Sequence, residues 1–223
     1  MLRAFAQDPF AFLPPPPGTT VVDDERFHLS VSPNGTRAKV CRLRTVDVFD
    51  EVVAHAPDAR ILWITGPHFD EALRARGCRE QDAPLTSYIT ALATDREPPA
   101  VDGVEVRRVD DPLIAADVFE RGWGVPRPPG RLDGEWLAYL DGEPVAWAGA
   151  SACEHGLFLT GGVTVPEARG RGAYRALVHA RWEDAVRRGT PGLVVHAEEA
   201  SRVVLERIGF ERVCDIVELV SGP

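Results

Sequence analysis

The stretch VTVPEARGRGAYRALVHARWEDAVRRG, residues 163–189, has the most specific local pattern in the chain. A β-branched run comes first, two glycines that alternate with arginines follow, and a strongly helical segment comes last. In that segment Ala173, Ala176, Leu177 and Ala180 have the spacing of a helix that buries one side. The pattern predicts a strand, a tight glycine-rich corner, and a helix extending to about residue 188.

The glycine-rich corner has the chemistry of an anion site. The first N–H groups of a helix have no partner within it, and the helix dipole puts partial positive charge there. Glycines let a phosphate approach the backbone closely, and Arg169, Arg171 and Arg175 add charge that does not depend on pH. An ordinary turn with solvated arginines is equally compatible with these residues. Neither GxGxxG followed by an acidic residue nor GxxxxGKS occurs here, which disfavours dinucleotides and nucleoside triphosphates.

Around this corner the hydrophobic periodicity predicts a mixed α/β protein. Asn34-Gly35 and Asp141-Gly142 are hairpin signals, and Gly77 and Gly209 are helix stops. The predicted strands are 26–31, 38–43, 61–64, 85–92, 104–109, 135–140, 144–151, 157–165, 193–196 and 213–220. The predicted helices, besides that after the corner, are 46–54, 67–76, 111–121 and 200–208. Residues 123–131 are expected to form a loop.

A linker-like segment, residues 97–102, suggests two regions, 1–100 and 101–223. When the chain is slid by 132 residues, strand 61–64 falls on 193–196 and Gly77 on Gly209. We interpret the first region as a degenerate, partial copy that lacks the glycine-rich corner. Chance similarity between two strand–helix–glycine–strand units remains an alternative. Residues 1–17, which end in four prolines, are expected to be a surface arm and not a signal peptide.

Composition and charge exclude several classes of protein. The net charge of -9 argues against broad binding to nucleic acid or to a membrane surface, and no apolar run is long enough to span a bilayer. The four cysteines are far apart and form no CxxC, so we expect a reduced, cytoplasmic protein. No histidine or cysteine cluster has the spacing of metal ligands, and no metal site is predicted.

The sequences GGVTVPEARGRGAYRALVHARWEDAVRRG and LVVHAEEASRVVLERIGFERV resemble the GNAT superfamily of N-acetyltransferases. The resemblance covers about residue 104 to the end and includes V-x-V-P-E-x-R-G-x-G and the helix ending in L-x-x-x-G-F. The family signature, Arg or Gln, two residues, Gly, one residue, Gly or Ala, falls on Arg169, Gly172 and Tyr174. Tyr174 departs from it, and its side chain is expected either to narrow the loop or to pack outward.

The resemblance implies a GNAT-like α/β fold with a mixed, mostly antiparallel central sheet, flanked by helices, whose strands splay apart at the acetyl-CoA site. Backbone amides of the corner would hold the pyrophosphate, the edge of the preceding strand would pair with the pantetheine amides, and an N–H near Val163 would stabilise the oxyanion. The implied acetyl-CoA-binding residues are Val163, Thr164, Val165, Arg169, Gly170, Arg171, Gly172, Ala173 and Tyr174.

The catalytic groups are less clearly indicated. Leu205 stands where many family members have a tyrosine acid, and Glu198 stands where an asparagine is common. Ser201, one helical turn before Leu205, is a substitute acid, or else an ordinary helix-start residue. His196 and Glu198 are candidate bases at the end of the second splayed strand.

Four further candidates have a competing structural role. Glu154 and His155 are more distant candidates for the base, and either could equally be a hairpin residue. Trp123 is a candidate for the acceptor wall, whereas Trp136 and Trp147 lie in strands and are expected in the core.

Together these features favour acetyl transfer from acetyl-CoA to a primary amine of a small molecule or peptide. A regulatory protein that binds acyl-CoA without turnover is the first alternative, and an unrelated enzyme with a phosphate-containing ligand is the second. The length of the acyl group stays open. The first region is expected to complete the fold, to wall the acceptor site, or to form a homodimer.

Overall fold

Helices and strands alternate along the chain as the periodicity predicts. The computed structural model describes residues 2–81, 85–91, 98–127, 134–190 and 192–223. The α-helices are α1 Leu2–Gln7, α2 Phe49–His55, α3 Asp70–Arg74, α4 Pro112–Trp123, α5 Ala173–Arg187 and α6 Glu199–Arg207. The strands are β1 Thr20–Asp24, β2 Phe27–Val31, β3 Arg37–Cys41, β4 Arg60–Thr65, β5 Arg79–Glu80, β6 Leu85–Ala91, β7 Glu105–Arg108, β8 Gly134–Leu140, β9 Glu143–Cys153, β10 Gly156–Thr164, β11 Gly192–Ala197 and β12 Glu211–Ser221.

Each predicted strand and helix is confirmed where residues are described, with ends shifted by at most two residues. The predicted helix 46–54 begins as a 3-10 turn, Val46–Val48, and 67–76 begins as Pro67–Phe69. The sequence interpretation missed α1, β1 and β5. Residue 92 of the predicted strand, Glu97 of the linker, and residues 128–131 of the loop lie outside the described residues.

The strands form one large, mostly antiparallel sheet in the order β1-β2-β3-β4-β12-β6-β11-β10-β9-β8-β7, with β5 paired to β12. Among the described pairs, β3–β4 and β10–β11 are parallel, and each of them is connected through a helix. This mixed sheet with flanking helices confirms the predicted fold class. The 132-residue slide places β4 on β11 but β3 on the glycine-rich corner, so it superposes only the second strand of each parallel pair.

Two strands join the predicted regions. Strand β12 pairs with β4 through Val217–Ser221 and with β6 through Glu211–Ile216. Strand β6 lies before the expected linker, yet it is inserted between β12 and β11. The division into 1–100 and 101–223 stays a prediction, and the hydrogen bonding of the sheet crosses it.

Local signals account for the ends of the elements. Asp111 caps α4, because its carboxylate accepts a hydrogen bond from the Leu113 N–H at 2.8 Å, and Gly124 ends that helix with a φ of 74°. The Asn34 side-chain oxygen accepts hydrogen bonds from Ser32 and Thr36, which fixes the turn between β2 and β3.

The N-terminal segment packs on the sheet, as an arm with a buried apolar side. Phe5 and Ala6 are fully buried. They pack with Phe158 and Val194 in a cluster of their own, on strands β10 and β11. The Ser87 hydroxyl donates to the Ala6 carbonyl at 2.6 Å. The segment is thus an arm packed on the sheet, with its apolar residues buried against β10 and β11 and its four consecutive prolines exposed.

No helix among the described residues is long and apolar enough to cross a membrane. The described cysteines are all free thiols: Cys41, Cys78, Cys153 and Cys214.

Candidate functional site

Strands β10 and β11 separate as they approach the glycine-rich corner. They pair in parallel only from Leu157 with Leu193 to Leu159 with Val195. Beyond this point β10 continues to Thr164, and its register with β9 shifts between Thr160 and Val163. Backbone groups on the facing edge of β10 are therefore left without a strand partner, next to a widening gap. This is the splayed arrangement expected from the sequence.

The corner itself exposes the start of α5. Gly170 and Gly172 have φ values of 78° and 93°, in the left-handed region that glycine reaches at low cost. Gly172 is the N-cap and supplies no side-chain hydrogen bond. The first amides of a helix, with no capping side chain and next to two glycines, are well suited to bind an anion.

Two of the three predicted arginines at this corner line a cavity, and the third does not. Arg169 and Arg175 line a cavity above it, and Arg169 Nε donates to the Thr164 carbonyl at 3.3 Å. Arg171 instead pairs with Asp141 at 2.9 Å and does not line the cavity. Arg207, from α6, lines the opposite wall and was missed. Ser201 and Val204 on α6 and Ile208 at its C-cap also line the cavity. Their helical spacing in the sequence was the signal that could have identified this wall.

The cavity has a volume of about 920 Å³ and contains most of the predicted site. The predicted residues that line it are Val163, Thr164, Arg169, Gly170, Gly172, Ala173, Tyr174, Glu198 and Ser201. The other lining residues are Pro99, Gly122, Trp123, Gly162, Ala168, Arg175, Val204, Arg207 and Ile208. Val165 does not line it, since its side chain is fully buried in the core. Its N–H donates to the Val145 carbonyl at 2.9 Å and so is already satisfied.

Tyr174 packs inward and does not turn outward. A Cβ built on Gly162 would lie 2.8 Å from Tyr174 Cε2, so the phenol ring covers the glycine at the irregular part of β10. Burial raises the pKa of Tyr174, although the charge of the neighbouring Arg181 opposes this. The departure from the family signature therefore places a partly buried phenol in the wall of the cavity.

Arg181 is fully buried behind Tyr174. Its guanidinium donates to the carbonyls of Leu177 and Gly149 at 3.0 and 3.2 Å. Burial lowers its pKa from the ordinary value. Arg181 Nη2 and Thr160 Oγ1 are buried and have no hydrogen-bond partner among the described residues. A buried cation that contacts no carboxylate side chain is costly, so this arrangement calls for an explanation.

His196 is not at the cavity, which corrects its prediction as a base. Its ring lies 5.1 Å from Phe158 and 6.0 Å from Phe10, under the N-terminal segment. Burial lowers the pKa of His196 to about 4. Alternation along β11 directs its side chain to the arm-covered face of the sheet, away from the cavity.

Of the other proposed bases, Glu198 lines the cavity and Glu154 and His155 do not. Glu198 is the N-cap of α6, with an exposed side chain that makes no capping bond. Ser201 follows on the same helix and is half-buried in the wall. Leu205, at the place of the usual tyrosine, is fully buried in the core. Glu198 and Ser201 are therefore the predicted catalytic candidates that the fold brings together.

The three tryptophans considered in the sequence analysis divide between the core and the cavity. Trp136 and Trp147 are buried in the core. Trp123 is 54% exposed at the end of α4 and lines the cavity together with Gly122. A large aromatic ring that remains exposed at a cavity mouth is available to contact a ligand. No group of three or more possible metal ligands occurs in the described part of the chain.

Comparison with solved structures identifies the class of fold. Over 100% of its length the chain matches 96% of a GCN5-related N-acetyltransferase from Kribbella flavida, with 16% identity and a TM-score of 0.73. It matches 88% of a tandem GNAT protein from the clavulanic acid biosynthesis pathway, again over its full length, with 16% identity and a TM-score of 0.59. The match to a GCN5-related N-acetyltransferase from Sphaerobacter thermophilus covers 90% of this chain and 82% of that protein, with 15% identity and a TM-score of 0.60.

No protein-family model matches the sequence. No curated protein matches it. The chain has the fold of the GCN5-related N-acetyltransferases, and the likeness extends over the first hundred residues, which the sequence resemblance did not cover.

Proposed function

We propose that this protein is an N-acetyltransferase that transfers an acetyl group from acetyl-CoA to a primary amine within a ternary complex. The observation that carries the proposal is the coincidence of three features in one cavity. These are the uncapped start of α5 behind Gly172, the cations Arg169, Arg175 and Arg207, and the edge of β10 beyond its last pair with β11.

Acetyl-CoA fits the chemistry of this cavity as a substrate. Its pyrophosphate would accept hydrogen bonds from the amides at the start of α5, and the arginines would balance its charge. Its pantetheine amides would pair with the free edge of β10 as an added strand. The thioester would then lie near Gly162 and Val163, where the register of β10 changes.

The reaction needs orientation and a neutral amine more than a strong acid. The amine nitrogen attacks the thioester carbonyl carbon, a C–N bond forms, the C–S bond breaks, and the sulfur leaves as thiolate. Glu198 is the carboxylate of the cavity, and we assign it to hold the incoming ammonium group and to accept its proton. Trp123 would form the acceptor wall on the α4 side.

A second candidate function, acyl-CoA binding without turnover, is favoured by one observation. Leu205 occupies the place of the usual tyrosine and is fully buried, so no acid is present there. Turnover of acetyl-CoA with any member of a panel of amines would exclude this alternative. Tight binding with no turnover across the panel would support it.

The proposal is tested by calorimetry of acetyl-CoA binding to a matched pair of variants. Gly170 has open space around it and a φ of 78°, which Asn and Asp tolerate better than other residues. Gly170→Asp brings a negative charge to the expected phosphate position, and we expect at least a tenfold loss of affinity, because ion contacts of this kind contribute about 1.5–3 kcal/mol. Gly170→Asn has the same shape without the charge and should lose much less.

Equal affinity of the Asp and Asn variants would contradict a phosphate site at this corner. Failure of the unaltered protein to bind acetyl-CoA would overturn the proposed function as a whole.

A further inference from the structure

Tyr174, which is partly buried, and Arg181, which is fully buried, form a polar pair that the proposed reaction does not yet use. The phenol lines the cavity, and its ring covers Gly162 at the irregular part of β10. Behind it, Arg181 donates hydrogen bonds to two backbone carbonyls, whereas its Nη2 has no hydrogen-bond partner among the described residues. The pair therefore joins the cavity wall to a cation in the interior.

Two competing explanations are weaker. If Tyr174 were only a filler over Gly162, a phenylalanine would fill the same space without a buried hydroxyl. If Arg181 were only structural, an apolar residue would avoid the cost of its desolvation. A phenol and a cation placed together at the substrate cavity are explained when negative charge develops beside them during the reaction.

We propose that the Tyr174 hydroxyl is the proton donor to the departing thiolate of coenzyme A, with Arg181 as the positioning residue behind it. This inference rests on the proposed function. As the C–S bond breaks, the sulfur takes the phenolic proton, and Tyr174 becomes a phenolate next to the Arg181 guanidinium. The proton released by the amine nitrogen returns to the phenolate through solvent, so the enzyme is restored.

This assignment is consistent with the absence of an acid at the position where many family members have a tyrosine. Leu205 carries no acid, and Ser201 is an aliphatic alcohol, which is a much weaker acid than a phenol. Tyr174 stands on α5 instead, where the signature of the fold has a glycine or alanine. The charge of Arg181 lowers the cost of the phenolate, which partly offsets the effect of burial on the pKa of Tyr174.

The charged groups that face the cavity come from few elements. They are Arg169 at the corner, Arg175 on α5, and Glu198 and Arg207 on or beside α6, in addition to Arg181 behind the wall. From β9 and β10 the pair meets glycine backbone, at the Gly149 carbonyl and at Gly162. No histidine lines the cavity in the part of the chain that the structure describes. If thiol binding changes with pH above neutrality, the change therefore does not come from a histidine among the described residues that line this cavity.

The test compares the binding of coenzyme A and acetyl-CoA from about pH 7 to about pH 9, where a thiol begins to ionise. Both ligands carry the same phosphates, so the ratio of their affinities isolates the thiol. In the unaltered protein, a hydrogen bond from Tyr174 to the thiolate should make this ratio rise with pH. Tyr174→Phe, which removes one oxygen and keeps the ring, should reduce the rise about tenfold.

Two control variants make the outcome specific. Tyr139→Phe removes a phenol on β8, remote from the cavity lining, and should behave like the unaltered protein. Ser201→Ala tests the alternative donor. An undiminished rise in Tyr174→Phe would overturn the inference, and loss of the rise only in Ser201→Ala would assign the role to Ser201.

The failure of the inference can be distinguished from that of the proposed function. If the unaltered protein binds both ligands but the ratio does not change with pH, the proton-donor role fails and the acetyl-CoA site stands. If it binds neither ligand, the proposed function fails and the inference fails with it.

Discussion

At the scale of the residue, buried charge in this protein is concentrated on α5. Asp184 is buried, and its carboxylate lies 2.8 Å from Arg108, Arg187 and Arg188. Burial acts to raise the pKa of Asp184, but the Arg188 and Arg108 contacts outweigh it and lower the pKa below the ordinary value of 3.8. Since Arg108 belongs to β7, this cluster ties the edge of the sheet to the helix that carries the corner.

Asp184→Asn should lower the free energy of unfolding by about 1–3 kcal/mol at neutral pH, because the buried carboxylate loses its charge-assisted hydrogen bonds, while the partly exposed guanidinium groups of Arg108, Arg187 and Arg188 stay hydrated. The lowered pKa means that the contribution is present above about pH 4 and is lost as the pH falls through the folded-state value. Urea denaturation at several pH values measures both effects. Asp117→Asn, at an exposed pair with Arg121, should cost less than about 1 kcal/mol. Equal costs for the two variants would contradict this account.

At the scale of the element, the N-terminal segment acts as a strap across the sheet. Phe10 contacts Phe158 and His196, and Lys39 from β3 places its Nζ 3.7 Å from the centre of the Phe10 ring. Burial lowers the pKa of Lys39 as well as that of His196. The segment thus brings β3 and β10 to the same cluster although several strands lie between them in the sheet.

The strap should loosen in mild acid. The folded state binds a proton at His196 only near pH 4, whereas the unfolded chain binds it near the ordinary 6.5. The stability due to neutral His196 is therefore full above about pH 6.5 and declines as the pH falls toward 4, by about 3 kcal/mol in total. Hydrogen exchange of the amides of residues 3–13 should accelerate over this range. In His196→Phe this acceleration should be absent, and its persistence would assign the acid sensitivity to another group.

At the scale of the whole molecule, the sheet makes the two sequence regions depend on each other. Strand β6 supplies the neighbour of both β11 and β12, and the last five residues of β12 pair with β4. Removing the first hundred residues would leave β11 and β12 with no strand between them. It would also expose Phe158 and Val194, which Phe5 and Ala6 cover.

A fragment of residues 101–223 should therefore fail to fold alone, and the full chain should unfold in a single cooperative transition. Amide chemical-shift dispersion of the fragment and urea unfolding of the full chain measure this. Addition of a fragment of residues 1–100 should restore dispersion by complementation. A fragment 101–223 that gives a well-dispersed spectrum by itself would instead support the division into two independent regions.

The sequence alone determined the local order of helices and strands and the chemistry of the corner. Alternating and helical periodicities are properties of neighbouring residues, and Gly170 and Gly172 next to a helix start predict an anion site, although an ordinary turn has the same pattern. The same local reasoning found Glu198 and Ser201, because the end of β11 and the start of α6 are close in the chain.

Only the tertiary structure decided which of these candidates lie together in the cavity. His196 is two residues from Glu198, yet it faces the opposite side of the sheet and lies under Phe10. Arg207 and the Tyr174–Arg181 pair enter the site because α5 and α6 pack around the gap between β10 and β11. The insertion of β6 and the burial of Phe5 depend on contacts between residues far apart in the chain, which periodicity does not encode.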